Sequence, residues 1–229
     1  MKPTLLSLLA GLFAAGAAQA RHPEPLRFRS THTAPAAPVR KVVLVHGFLD
    51  TGSIFRSLRR QLEARDVQCL VPELRPSDGR GGLENLAIQL KAEIEAEYGT
   101  EEPISIVAFS MGGLISRHYL QNLGGAARCE KLLTISSPHH GTQAAWLYPS
   151  KGAEQMRPGS GFLADLAKTE AQLGRMSVVS YRTPLDLIIL PATSSVWDRA
   201  VNIEHPALLH PLMLSSGTVL ADVQKRILE

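Results

Sequence analysis

Residues 104–113, Ile-Ser-Ile-Val-Ala-Phe-Ser-Met-Gly-Gly, set a serine between an apolar run and a stretch of helical character. A serine hydroxyl attacks a carbonyl only when a base can take its proton and the substrate can reach it. A sharp strand-to-helix turn meets both needs by projecting the side chain from the edge of a sheet, but it crowds its neighbours. Small residues are then required two before and two after the serine, where this chain has Ala108 and Gly112. The same turn leaves the Met111 N–H at a helix N-terminus, suited to holding a developing oxyanion. Ser110 could instead be an ordinary helix N-cap. The strand before it and the helix after it favour the nucleophile.

Other reactive side chains are spread along the chain. His46-Gly47-Phe48 closes the apolar run at residues 41–46. Asp186 and Asp198 are the aspartates in the stretch before the C-terminal histidines, His205 and His210. His139 and His140 are adjacent, and adjacent side chains rarely point at one ion. With no third ligand nearby, a metal site is not expected there.

The elements that must position these groups alternate in type. Buried-strand patterns occur at 41–46, 67–71, 104–109, 131–135 and 177–181, with a short last strand expected at 201–203. Between them, Ile54, Phe55, Leu58 and Leu62 mark one helix, and Leu83, Leu86, Leu90 and Ile94 a second. A helix follows Ser110 to about Leu123, and a final one buries Val219, Leu220, Val223 and Ile227. Strands apolar on both faces and alternating with helices imply a parallel sheet covered on both sides. The expectation is one α/β domain over 41–229, a doubly wound, mostly parallel sheet of about six strands. A weakly structured stretch lies at 141–165, and a small cap-like insertion is expected at about 141–175.

With these motifs in place, the sequence resembles the triacylglycerol lipase and esterase group of the α/β-hydrolase superfamily, particularly small bacterial lipases with an A-x-S-x-G elbow. The resemblance covers about residues 40–229 and rests on HGF at 46–48, AFSMGG at 108–113, SSPHHGT at 136–142 and QMRPGSGFLADL at 155–166. It implies a chain order of serine, acid, histidine. Asp186, followed by Leu-Ile-Ile-Leu-Pro, matches the acid segment of such lipases, with Asp198 as its rival. His210, in His-Pro-Leu-Met-Leu, matches the base segment, with His205 as its rival. The resemblance also implies that the second oxyanion N–H comes from Phe48, beside that of Met111, and that the HHGT turn is structural. It implies hydrolysis of acyl esters through an acyl-enzyme, without metal or organic cofactor. The substrate expected is a small-molecule or lipid ester, and transient contact with lipid surfaces is compatible with it. The same triad would serve an acyltransferase or a phospholipid or amide hydrolase. A non-catalytic binding protein on a hydrolase scaffold is the reading from another class.

Composition bounds the rest. The 229 residues carry 24 Lys+Arg against 21 Asp+Glu, a net charge of +3, with the basic residues scattered rather than gathered in a stripe. Nucleic acid is therefore not an expected partner. Lys2, an apolar run from Leu5 to about Ala18, and Ala18-Gln19-Ala20 have the form of a secretory signal peptide cleaved after Ala20. A secreted or periplasmic protein is expected, with a proline-containing arm at 21–40. Export permits disulfides, and there are two cysteines, Cys69 and Cys129. Their strands are expected three places apart, roughly 14 Å, whereas a bridge needs Cα atoms within about 7 Å. Two separate buried thiols are expected.

Overall fold

The computed structural model describes residues 39–229; the expected leader and nearly all of the arm lie outside the described residues. Among the described residues, six strands form one sheet in the order β2-β1-β3-β4-β5-β6. They are β1 (Lys41–Val45), β2 (Gln68–Leu70), β3 (Ile104–Phe109), β4 (Cys129–Ile135), β5 (Ser177–Arg182) and β6 (Val201–Glu204). All five pairings are parallel. This is the sheet that the alternation of apolar runs and helices predicts.

Strand alternation divides the core in two. Val43, Val45, Ile106, Ala108, Leu132 and Val178 point to one face, where they meet α2 (Leu83–Tyr98), α3 (Met111–Asn122) and α5 (Gly161–Lys168). Val42, Leu44, Val107, Leu133, Ile135 and Val179 point to the other, against α1 (Arg56–Glu63) and α6 (Gly217–Leu228). Both cores are filled by leucine, isoleucine and valine at exposures of a few per cent or less. Each fully buried side chain of this kind contributes roughly 1.5–3 kcal/mol. A one-residue slip in any central strand would exchange its two faces and lose both sets of contacts.

The topology also sets the site. From β1 the chain first steps outward to β2, then crosses back to β3 on the opposite side of β1. The connections therefore diverge at the carboxyl ends of β1 and β3, the place where open α/β sheets bind ligands. Val45 pairs with Ala108 there, so the loop after β1 lies beside the turn after β3.

Local differences from the sequence reading have local causes. The expected helix from Ile54 begins as a 3-10 turn, Gly52–Phe55, capped by the Thr51 side chain, before α1 starts at Arg56. β2 is three residues rather than five, as suits an edge strand with one neighbour. Residues 141–165 hold a 3-10 turn, Gln143–Leu147, then α4 (Lys151–Gln155) and the start of α5. Ser150 and Ser160 cap α4 and α5 by accepting from Ala153 N and Leu163 N. Helices so short show too few turns for their periodicity to stand out. Cys69 and Cys129 are both free; Cys129 is buried, whereas Cys69, on the edge strand, is only half-buried.

Candidate active site

Ser110 sits where β3 passes into α3, with φ 53° and ψ −126°. A positive φ at a non-glycine residue costs on the order of 1–3 kcal/mol and persists only where the surroundings enforce it. Here the enforcement is visible on both sides. Ser110 N–H donates to Ile135 O at 2.9 Å, and Gly113 N–H closes the turn onto Ser110 O at 3.0 Å. A Cβ on Gly112 would lie 2.4 Å from Val45 O and 2.6 Å from His46 O, so α3 is seated directly against the end of β1. Ala108, two residues before the serine, is fully buried in that packing.

The loop after β1 is held by His46. This buried ring accepts from Leu74 N–H through Nε2 (3.1 Å), so its Nδ1 carries the proton and donates to Gly47 O at 3.0 Å. His46 thus clamps the backbone of the loop that carries the Phe48 N–H. Phe48 is braced by Tyr148 of the 141–175 segment, edge to face at 4.9 Å. Neither Phe48 N–H nor Met111 N–H takes part in the turn, loop and cap hydrogen bonds among the described residues.

Asp186 and His210 meet across 24 residues of chain. Asp186 Oδ2 accepts from His210 Nδ1 at 2.8 Å, while Oδ1 accepts from Ile188 N (2.9 Å) and Ile189 N (2.8 Å). Both side chains are buried. Burial pushes the Asp186 carboxyl up, but the His210 hydrogen bond and charge and the two amide donors together hold it below the usual carboxylate range. An ionised partner on Nδ1 leaves Nε2 as the basic nitrogen of His210. Phe109 packs on the imidazole at 4.7 Å between ring centres.

The loop bearing Asp186 is tied down by the SSPHHGT segment. Thr142 Oγ1 donates to Ile188 O and accepts from Leu190 N, and Gln143 N donates to Leu190 O. Thr183 links the same loop to the next one by donating to Ala207 O. His139 is buried and turned away from the serine, against Trp197 and Thr134 Oγ1, and burial holds its pKa well below the ordinary value. No group of three or more potential metal-ligating side chains occurs among the described residues. Of the rival residues, Asp198 is exposed and lies in the cleft lined by Arg117 and His139. The ring of His205 meets Thr218 Oγ1 at 3.3 Å and touches neither aspartate.

Among the described residues, two cavities are lined by Ser110. One, of about 530 Å³, is lined by Phe48, Leu49, Asp50, Phe109, His210 and Leu214, among others. The other, of about 80 Å³, is lined by Pro138, Ala145, Tyr148, Met156 and Ile189. Phe48 and Ile188 border both and form the partition. Sequence reasoning missed Asp50 and Ile188. A carboxylate two residues after Phe48, or an isoleucine two after Asp186, carries no local pattern that separates it from any loop residue.

A family profile described as the alpha/beta hydrolase fold matches residues 41–187. The chain belongs to that family. Its solved neighbours include lipase B of Aspergillus fumigatus, with a TM-score of 0.72 at 15% identity, covering 83% of this chain and 53% of that one. The mature lipase BlEst2 of Bacillus licheniformis gives 0.66 at 18% identity, covering 86% and 94%. Among curated proteins, the lysosomal thioesterase PPT2 of Mus musculus is 28% identical over 131 residues, 51% of this chain and 43% of that protein. The chain thus matches less than half the length of this relative. The α/β-hydrolase architecture expected from the motifs is the one found, and its neighbours are lipases and esterases.

Proposed function

We propose that this α/β-hydrolase is a serine esterase that cleaves carboxylic esters through an acyl-enzyme on Ser110. The observation that carries the reading is the 2.8 Å contact between His210 Nδ1 and Asp186, in a cavity that His210 shares with the strained serine. In the proposed cycle His210 Nε2 takes the Ser110 proton as Oγ attacks the ester carbonyl. The Phe48 and Met111 N–H groups receive the negative charge of the tetrahedral oxygen. His210 then gives its proton to the leaving alcohol, and water, activated by the same nitrogen, releases the acid.

Proton delivery assigns the two cavities. The leaving oxygen must be next to His210, so the 530 Å³ cavity takes the alcohol side, and the cavity without His210 takes the acyl group. At about 80 Å³, the acyl chamber is smaller than the ~150 Å³ apolar cavity that just admits a benzene ring. That favours acyl groups of about two to four carbons, an esterase rather than a long-chain lipase. Thioesters are the second reading, favoured by the kinship with a lysosomal thioesterase. A thiolate leaves more readily than an alkoxide and would use the same chambers.

The test is hydrolysis of p-nitrophenyl esters from two to sixteen carbons, and of matching thioesters, by the wild type and Ser110→Ala. Turnover greatest below six carbons and lost in the variant is expected. A folded wild type that hydrolyses none of them, with Ser110 unlabelled by a fluorophosphonate, would overturn the enzyme reading.

A further inference from the structure

The alcohol-side cavity is apolar except at few points, and one of them is a carboxylate with no role in the chemistry above. Asp50 is half-buried in its wall, four residues after His46. A side-chain carbon on Gly47 would lie 2.9 Å from Asp50 Oδ2 and 3.0 Å from Ser110 Cβ, so the carboxylate and the nucleophile flank the same glycine. The Asp50 carboxylate forms no ion pair or side-chain hydrogen bond among the described residues. Among the described residues, no arginine or lysine lines the cavity. A carboxylate facing an apolar chamber without a partner is costly unless something entering the chamber completes it.

We propose that Asp50 selects the leaving group of the substrate, favouring esters whose alcohol carries a positive charge and disfavouring those whose alcohol carries a negative one. The assignment rests on the esterase reading, because it needs the alcohol to lie on the His210 side of Ser110. A negative charge this close to the developing oxyanion opposes catalysis unless a cation compensates it, so the Asp50 charge is better explained by a substrate that brings one. Coulomb attraction across a few ångströms of half-buried space is enough for at least a tenfold preference. The titratable groups facing Asp50 are His46 at the end of β1 and His210 on the loop before α6, with Asp186 behind His210. Burial raises the Asp50 carboxyl above its ordinary range, against the opposing pull of His46 and His210. The carboxylate is therefore lost at a higher pH than an exposed one, and the preference should fade with it.

The experiment compares three butyrate esters by acid release: butyrylcholine, its uncharged isostere 3,3-dimethylbutyl butyrate, and the ester of 3-hydroxypropionate. The wild type should show kcat/KM about tenfold higher for the cation than for the isostere, with the anion lowest. In Asp50→Asn the cation-to-isostere ratio should fall to about one. A wild-type ratio of one or less, or a ratio retained in the variant, overturns the assignment. Should Asp50→Asn fail to fold, Asp50→Ser is measured in its place, and a cation preference retained there overturns the assignment. Turnover that persists in Ser110→Ala overturns the esterase reading itself, whereas Ser110-dependent turnover without cation preference removes only the role of Asp50.

Discussion

Of the six histidines among the described residues, the carboxylate contact singles out His210. Removing that carboxylate should leave the imidazole free to adopt the wrong tautomer. Asp186→Asn is expected to lower kcat on p-nitrophenyl acetate by roughly 10³–10⁴-fold, while Asp198→Asn and His205→Ala change it by less than about twofold. A reversal of that order would move the acid to Asp198. Asp186→Asn should also alter the acid limb of stability. The carboxyl is held below its ordinary range in the fold, so the pairing stabilises the protein fully above about pH 4. That contribution disappears as pH falls through the lower folded value. Urea midpoints between pH 6 and pH 3 should therefore fall less steeply in the variant.

At the scale of elements, the site depends on how tightly α3 is pressed against β1. Gly112→Ala would set a carbon 2.4 Å from Val45 O, where neither backbone can retreat without opening the β1–β3 pairing. A loss of about 3 kcal/mol or more is expected, with activity abolished as Ser110 is displaced. Gly161→Ala, in the first turn of α5 with nothing within 4 Å of the new carbon, should be neutral or slightly stabilising. Thermal unfolding of both variants checks the contrast. The strand-turn-helix and its small residues were legible in the sequence because crowding at a sharp turn is a short-range constraint. The short α4 and the hold of Thr142 on Ile188 and Leu190 were not, because a five-residue helix has almost no period and the hold spans 46 residues or more.

As a whole, the described residues carry two cores on the two faces of one sheet, and the two cysteines sit on strands separated by β1 and β3. Burial raises the Cys69 thiol to about 11 and the Cys129 thiol to about 12. Neither is expected to react quickly with Ellman's reagent at pH 8 in the native protein, Cys129 least of all, because the thiolate is the reactive form. Two thiols per chain should appear in denaturant without reductant. A single fast thiol, or none after unfolding, would contradict the strand order or the burial. The same sheet gives the site its place, since the divergence of connections at β1 and β3 is a property of the complete order and not of either strand.

The amino-acid sequence alone determined the alternation of strands and helices, the division of each central strand between two buried faces, and the turn that raises Ser110. These follow from side-chain period, backbone sterics and residue size, which act within a few positions along the chain. It also carried the matches that preferred Asp186 and His210 to their rivals. Only the tertiary structure decided that Asp186 accepts from His210, that His46 clamps the loop carrying Phe48, and that Asp50 shares a wall with the serine. It alone divided the space around Ser110 into a small apolar chamber and a larger one holding a carboxylate. Such adjacencies arise where loops from separate strands converge at one end of a sheet. The paths of those loops are set by the packing of both cores, and no window of sequence contains them.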